Sequence, residues 1–284
     1  MSIYYIDGEF VDEHDAHIPA TDLAVMRGYG VFDFLRTYKG VPFELEAHIN
    51  RLRNSAALIE LDVPWDNAEI TTIINQTIAR NRYDDGREMN VRVIVTGGPS
   101  ANGLMPLGDS RLLVMVTPAN PIPPTNYSDG VKIITEKIER YIPEAKTLNY
   151  IPAIKAMKRA GREGAVEAIY VDRDGFALEG TTTNLFAFYG DTLVTPAVGI
   201  LSGITRNVVL KLARDLFPIE ERALSLSELL KADEVFISAS NKQIMPVITV
   251  DDSQISDGKV GARTRRIMDA FGALTGEPLA KSKS

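Results

Sequence analysis

The sequence contains no cysteine. That removes thiol nucleophiles, disulfide frameworks and thiolate metal sites together, and it is compatible with a reducing compartment. Histidine is scarce as well: there are 3, and His14 and His17 form an isolated His-x-x-His with only His48 besides, too few for a histidine metal cluster. Positive charge is not in excess. The 31 lysines and arginines face 38 aspartates and glutamates, a formal net charge of -7, which argues against a partner that must be met by neutralising phosphates, so neither nucleic acid nor an anionic membrane surface is expected. Small anionic ligands would need dedicated arginines. No apolar run is long enough to span a bilayer, and the start Met1-Ser2-Ile3-Tyr4-Tyr5-Ile6-Asp7 lacks a basic segment followed by an apolar one. The expectation is a soluble, cytoplasmic protein. Three enzyme signatures are missing too. No Gly-x-x-x-x-Gly-Lys-Ser/Thr phosphate loop occurs, Gly97-Gly98-Pro99 is not a dinucleotide fingerprint, and Ser202 lacks the glycine two places earlier that a nucleophile elbow requires.

What is present is ordinary globular material: 284 residues, 45% hydrophobic and 24% charged, enough for a sizeable core divided over two domains. The pattern is α/β (α+β). Asp7-Gly8 and Lys39-Gly40 mark hairpin turns between short strand-like runs. Leu45, Ile49, Leu52, Ala56 and Ile59 recur at helical spacing, and a second helix is expected from Asp66, where Asp66 and Glu69 suit a capping box ahead of Ile70, Ile73, Ile74 and Ile78. Val91, Val93 and Val95 alternate with Asn90, Arg92 and Thr96, so this strand has one polar face. The proline-rich stretch near 118–126 breaks the pattern. We therefore expect a small amino-terminal domain over 1–118, a linker over 119–128 and a larger domain over 129–284. Within the latter, helices are expected at 149–161, 207–217, 226–231 and 260–274, and strands at 168–171, 176–179, 185–188, 192–194 and 234–238. The tail 281–284 is expected to be frayed.

Several residues could carry chemistry, each with a plainer alternative. Glu179 ends a strand-like Phe-Ala-Leu run, as an exposed strand end or as a buried acid with a cationic partner. Lys146 is one lysine among many, but it lies just before Asn149, a plausible helix cap, and a helix amino terminus favours a neutral amine. Gly203-Ile204-Thr205, ahead of a helix beginning near Arg206, offers backbone N–H groups to an anion, or else is a plain helix entry with Thr205 as cap. Ser238-Ala239-Ser240-Asn241 could add hydroxyls, or form an ordinary turn. Arg51 is either a solvent-facing helix residue or the cation that a phosphate needs. A lysine and a carboxylate at opposite ends of a pyridine ring would make that ring an electron sink.

Taken in order, Arg27-Gly28-Tyr29-Gly30-Val31-Phe32, His48-Ile49-Asn50-Arg51-Leu52, Lys146-Thr147-Leu148-Asn149-Tyr150, Glu179-Gly180-Thr181-Thr182-Thr183-Asn184-Leu185-Phe186, Leu201-Ser202-Gly203-Ile204-Thr205-Arg206 and Asp233-Glu234-Val235-Phe236 resemble the class IV aminotransferases. These are fold-type IV pyridoxal 5'-phosphate enzymes and include branched-chain aminotransferases, D-amino-acid transaminases and aminodeoxychorismate lyase. The resemblance covers nearly the whole chain. It implies two α/β domains with the cofactor between them, in a homodimer whose partner contributes a loop to the active site. It also implies Lys146 as the Schiff-base and proton-transfer lysine, Glu179 as the partner of the pyridine nitrogen, and Arg51, the Ile204 and Thr205 amides and Ser240 as the phosphate cup. Tyr150 would touch the ring oxygen, and Asn184 is carried over as a further cofactor-binding position.

The substrates implied are an amino acid and a 2-oxo acid, 2-oxoglutarate or pyruvate, exchanged in a ping-pong cycle. The chain departs from both better-known groups. Branched-chain enzymes usually show Val-Phe-Glu-Gly-Ile-Arg and a Tyr-x-Arg; here the runs are Val31-Phe32-Asp33-Phe34-Leu35-Arg36 and Asn90-Val91-Arg92. The Arg-x-His pair of D-amino-acid transaminases is replaced by Gly97-Gly98-Pro99-Ser100. Arg27, Arg92 and Phe32 remain as substrate-binding candidates, with Arg27 and Arg92 able to pair a carboxylate or, alternatively, nearby acids. The expectation leans to D-glutamate or D-alanine transamination. Branched-chain L-amino-acid transamination and an aminodeoxychorismate-type lyase are the alternatives.

Overall fold

A computed structural model describes residues 2–83, 85–277 and Leu279; the tail 281–284 lies outside the described residues. The chain divides into two compact units, Met1–Asn120 with Glu144–Tyr150, and Pro121–Pro143 with Ile151–Ser284. Two boundaries differ from the sequence reading. The segment Glu144–Tyr150 joins the first unit although its neighbours on either side belong to the second. The stretch read as a linker contains a short helix, Thr125–Ser128 (α4), held by buried Tyr127, whose hydroxyl donates to the Lys242 carbonyl at 3.1 Å.

The first unit is built on β1 (Ile3–Ile6), β2 (Glu9–Asp12), β3 (Gly30–Tyr38), β4 (Val41–Pro42), β5 (Met89–Thr96) and β6 (Arg111–Pro118). They form a 6-stranded antiparallel sheet in the order β2-β1-β6-β5-β3-β4. The expected hairpin forms at Asp7-Gly8, where both residues take positive φ, 49° and 96°. Period-two alternation sends Val31 and Leu35, Val91, Val93 and Val95, and Leu112, Val114 and Val116 to one face. Two helices cover that face, α2 (Leu45–Leu58) and α3 (Asn67–Ala79), through Ile49, Leu52, Ile70, Ile74 and Ile78. Each fully buried aliphatic of this kind contributes about 1.5–3 kcal/mol. The capping box of α3 is present, with Glu69 N–H donating to Asp66 at 2.8 Å and Asp66 N–H donating to Glu69 at 2.7 Å. A short helix the sequence reading did not include, α1 (Leu23–Arg27), is capped by Asp22.

The second unit carries β7 (Val131–Lys137), α5 (Ile151–Arg162), β8 (Ala168–Val171), β9 (Ala177–Gly180), β10 (Asn184–Tyr189), β11 (Thr192–Thr195), α6 (Ile204–Arg214), β12 (Ile219–Glu221), α7 (Leu226–Leu229), β13 (Glu234–Ala239), β14 (Gln243–Val250), β15 (Ser253–Gln254) and α8 (Ala262–Thr275). Its 9-stranded sheet runs β12-β11-β10-β13-β14-β7-β8-β9, with β15 beside β14. A further pairing of β9 with β10 joins the path to itself, through the single register pair Asn184↔Glu179. Two central strands, β7 and β14, are absent from the sequence reading. Pro246 sits inside β14 opposite Phe236, and a proline, which cannot donate to the ladder, argues against a strand when read from sequence. Helix α6 begins three residues earlier than the expected 207, with Gly203 rather than Thr205 at its cap, and α5 begins at Ile151, so Asn149 does not cap it. No helix among the described residues is long and apolar enough to cross a membrane.

Candidate active site

In the first unit the candidate lysine is fixed through its main chain. Segment 144–150 lies beside the start of β3: Phe32 N–H donates to Lys146 O at 3.0 Å, Leu148 N–H to Gly30 O at 3.0 Å, and Thr147 bridges Val31. Helix α2 holds the same residue, because Lys146 N–H donates to Ser55 Oγ at 3.0 Å. Gly30 is required here, since a Cβ would lie 2.7 Å from Leu148 Cδ1 and 2.8 Å from Val95 O. With its backbone pinned, Lys146 places Nζ 3.4 Å from the Tyr150 hydroxyl and 4.8 Å from the centre of the Phe32 ring. Tyr150 packs edge-on against Phe32 at 5.3 Å.

The face of the sheet opposite the core carries Phe32 and Phe34, paired in register with Ile94 and Arg92. Arg92 is exposed, and its guanidinium lies 5.9 Å from the Phe32 ring and 5.7 Å from the Phe34 ring. Arg92 therefore joins Phe32, Lys146 and Tyr150 in one cluster. Arg27 is not part of it by any contact among the described residues; it is exposed at the end of α1 and donates to the Met26 carbonyl at 2.8 Å.

Beneath this cluster, on the core face of β3, lies a carboxylate that the sequence reading did not single out. Asp33 is 1% exposed. It accepts from Arg51 Nε at 2.8 Å and Nη2 at 2.7 Å, from His48 Nδ1 at 2.6 Å and from Phe34 N–H at 2.7 Å. His48, Arg51 and Ser55 stand on one face of α2, spaced three and four residues apart. Burial alone would raise the Asp33 carboxyl pKa, but the adjacent Arg51 and His48 outweigh it and hold the group far below the ordinary 3.8. Burial, with Arg51 and Lys146 nearby, depresses His48 below 6.5 despite Asp33, and its Nδ1 donates to the carboxylate, which can only accept. Arg51 is thus neither a solvent-facing residue nor a loose one; Asp33 aims it. A signal was available, because strand alternation places Asp33 on a face of valines and leucines, where a carboxylate needs cations.

In the second unit, Glu179 is 4% exposed and accepts from Arg140 Nη1 at 2.8 Å and from the Leu201 N–H at 3.0 Å. It is the buried acid with a cationic partner, and Arg140 is a second residue the sequence reading missed. Asn184, its register partner, donates from Nδ2 to Leu201 O at 2.9 Å. Both ends of the 179–184 turn are therefore tied to the same residue, Leu201, just ahead of α6. No side chain caps α6 at Gly203, and helix geometry leaves the first-turn N–H groups, including those of Ile204 and Thr205, without intrahelical acceptors. Ser240 is half-buried after β13, and the hydroxyls of Ser238 and Thr183 are buried without hydrogen-bond partners among the described residues. A Cβ at Gly203 would stand 1.9 Å from Asn184 Oδ1. Gly203→Ala is accordingly expected to cost about 1–3 kcal/mol through overpacking, measured by denaturant unfolding.

Comparison with known proteins bears on the chemistry. Residues 30–250 match the family model described as amino-transferase class IV. A protein of Methanocaldococcus jannaschii, provisionally named a branched-chain-amino-acid aminotransferase, is 36% identical over 275 residues, 94% of each chain. A D-alanine aminotransferase of Staphylococcus epidermidis is 30% identical over 277 residues, 95% of this chain and 97% of the other. Among solved structures, the T.th. branched-chain amino acid aminotransferase with pyridoxamine 5'-phosphate superposes with a TM-score of 0.90 at 27% identity, over 97% of this chain and 94% of that one.

Proposed function

This chain belongs to the class IV aminotransferases, with the fold-type IV architecture and dependence on pyridoxal 5'-phosphate of that family, and we propose that it transaminates D-amino acids, D-glutamate or D-alanine, with 2-oxoglutarate or pyruvate as acceptor. The residues present fit the cofactor. An uncapped helix start at Gly203 and the hydroxyls of Ser238 and Thr183, unpartnered among the described residues, suit a group rich in acceptor oxygens. The cofactor supplies an electron-withdrawing ring that stabilises negative charge at the substrate's α-carbon.

The protein's own residues have distinct tasks in this reading. Lys146 Nζ would hold the cofactor covalently, and the same amine would move the proton at the substrate α-carbon. Its pinned main chain limits where that amine can reach, and Tyr150 holds it near the Phe32 ring. Arg51, aimed by Asp33, would bind the phosphate, as would the Ile204 and Thr205 amides and the Ser240 hydroxyl. Glu179 would accept the ring N–H, Asn184 keeps the turn beside it in place, and Arg92, with Arg27 as a second candidate, would bind a substrate carboxylate.

The observation that carries the substrate reading is the exposed Arg92 guanidinium against Phe32, the ring that also faces Lys146 Nζ. It offers a bidentate carboxylate site close to the reacting amine. The relatives named D-alanine aminotransferases support the D-reading; the Methanocaldococcus relative supports branched-chain L-amino acids as the second reading. A half-reaction screen separates them. D-glutamate or D-alanine is expected to convert the bound cofactor from its lysine-linked form to its amine form, monitored as loss of the absorbance of the lysine-linked form. Reaction with L-leucine, L-isoleucine and L-valine alone would overturn the D-reading, and release of many equivalents of pyruvate per enzyme with no acceptor, from a donor other than alanine, would favour a lyase.

A further inference from the structure

A second buried carboxylate lies in the larger unit, and none of the tasks above uses it. Glu167 is 0% exposed, just ahead of β8. Its Oε1 accepts from the Thr181 hydroxyl, from Thr181 N–H at 3.1 Å and from Ala168 N–H at 3.0 Å. Its Oε2 accepts from the Thr182 hydroxyl at 2.8 Å and from Lys242 Nζ at 2.7 Å. Lys242 also donates to Thr182 Oγ1 at 3.0 Å, closing a triangle of ammonium, hydroxyl and carboxylate. Burial would raise the Glu167 pKa, but Lys242 and the threonine hydroxyls outweigh it and keep the carboxyl below its ordinary range.

Burying an ion pair is costly, and apolar residues of similar volume often stabilise a fold as well or better. What the pair adds is a specified geometry. Both oxygens are committed to consecutive residues, Thr181 and Thr182, of the turn that begins with Glu179 and ends with Asn184. The turn also packs closely against Glu167, because a Cβ at Gly180 would lie 2.1 Å from Thr183 Oγ1 and 2.9 Å from Glu167 Cγ. Lys242 is in turn anchored through its carbonyl by Tyr127.

We propose that Glu167 and Lys242 are positioning residues for the cofactor: together they clamp the Thr181-Thr182 turn and so set where the Glu179 carboxylate stands. The inference rests on Glu179 being the partner of the ring nitrogen. Lys242 makes the clamp possible, since without it a fully buried carboxylate would carry its charge on hydroxyls and amides alone.

The test is titration of the apo-protein with pyridoxal 5'-phosphate, read by absorbance, alongside the pH profile of the bound cofactor's absorbance and the thermal midpoint of the apo-protein. Lys242→Met is expected to raise the cofactor dissociation constant about tenfold or more and to displace the pH profile. The pair E167Q/K242M, which removes both charges, keeps an acceptor oxygen for Thr181 and turns an amide N–H donor toward the Thr182 hydroxyl, is expected to recover most of that loss. In a Glu179→Ala background Lys242→Met is expected to change the dissociation constant less than about twofold, because the residue it positions is gone. An unchanged dissociation constant and pH profile in Lys242→Met, whatever happens to the thermal midpoint, would overturn the clamp. So would an undiminished effect in the Glu179→Ala background. Should Lys242→Met not fold, Thr182→Val removes the bridging hydroxyl alone; it supports the clamp if cofactor binding weakens and overturns it if binding is that of the wild type. Cofactor binding that is equally tight without the Glu179 carboxylate would instead refute the role of Glu179.

Discussion

Lys146→Ala is expected to lower the rate of the amino-transfer half-reaction by about 10⁴-fold or more, because in the proposed function one amine supplies both the covalent attachment and the proton transfer. The fold should survive the change. The bonds from Phe32 N–H to Lys146 O and from Lys146 N–H to Ser55 belong to the main chain and remain, and the side chain gives up the Tyr150 contact and a cation–π contact with Phe32, together worth about 1–2 kcal/mol. Lys146→Arg is expected to be as inactive, since it restores the charge but not a nucleophilic amine. The companion measurement is borohydride reduction followed by mass analysis of peptides. The wild type should carry the cofactor mass on the peptide containing Lys146 and the variants should not. Normal turnover in Lys146→Ala would remove this lysine from the chemistry.

The second large effect is on stability. Asp33→Ala is expected to destabilise the first unit by about 3–5 kcal/mol, the usual cost of removing one partner of a buried ion pair, against a total of about 5–15 kcal/mol for a folded protein. The carboxylate is 1% exposed and accepts two bonds from Arg51 and one from His48, so the loss is little screened by solvent. Urea unfolding measures it. The pH dependence has a definite sign: the native carboxyl titrates far below the unfolded value of 3.8, so its contribution is complete above that pH and disappears as pH falls through the lower native value. The difference between wild type and Asp33→Ala should therefore close only below pH 3.8. A second consequence reaches the site, because Arg51 loses the carboxylate that aims it and cofactor phosphate affinity should fall with stability. A variant as stable as the wild type at pH 7 would contradict this account of β3 and α2.

Asp33 also shows how far the sequence could be read. Its carboxylate was visible in Val31-Phe32-Asp33-Phe34, as were His48 and Arg51 three residues apart, but that these are partners is a pairing between a strand and a helix. Arg140 and Glu179 are 39 residues apart, and Lys242 and Glu167 are 75 apart; no local pattern couples either pair. Spacing alone did not select Lys146 either; its motif did, and its setting differs from the one inferred. Asn149 caps no helix. The backbone of Lys146 is held by β3 and Ser55, and segment 144–150 joins the unit that precedes it.

Composition and local pattern by themselves determined the α/β class, the helices α2 and α3 with their capping box and the Asp7-Gly8 hairpin, whereas the family was reached by the resemblance of its ordered motifs. Those features depend on residues a few positions apart, where periodicity, capping and turn conformation act directly on the chain. Only the tertiary structure decided that Arg51 and His48 share Asp33, that Arg140 meets Glu179, that Gly203 opens α6 and that Pro246 lies inside a strand. Each depends on which surfaces are buried against one another. Desolvation makes an unpaired charge costly only after the fold has brought distant residues together, and a single residue's identity carries no record of its eventual neighbour.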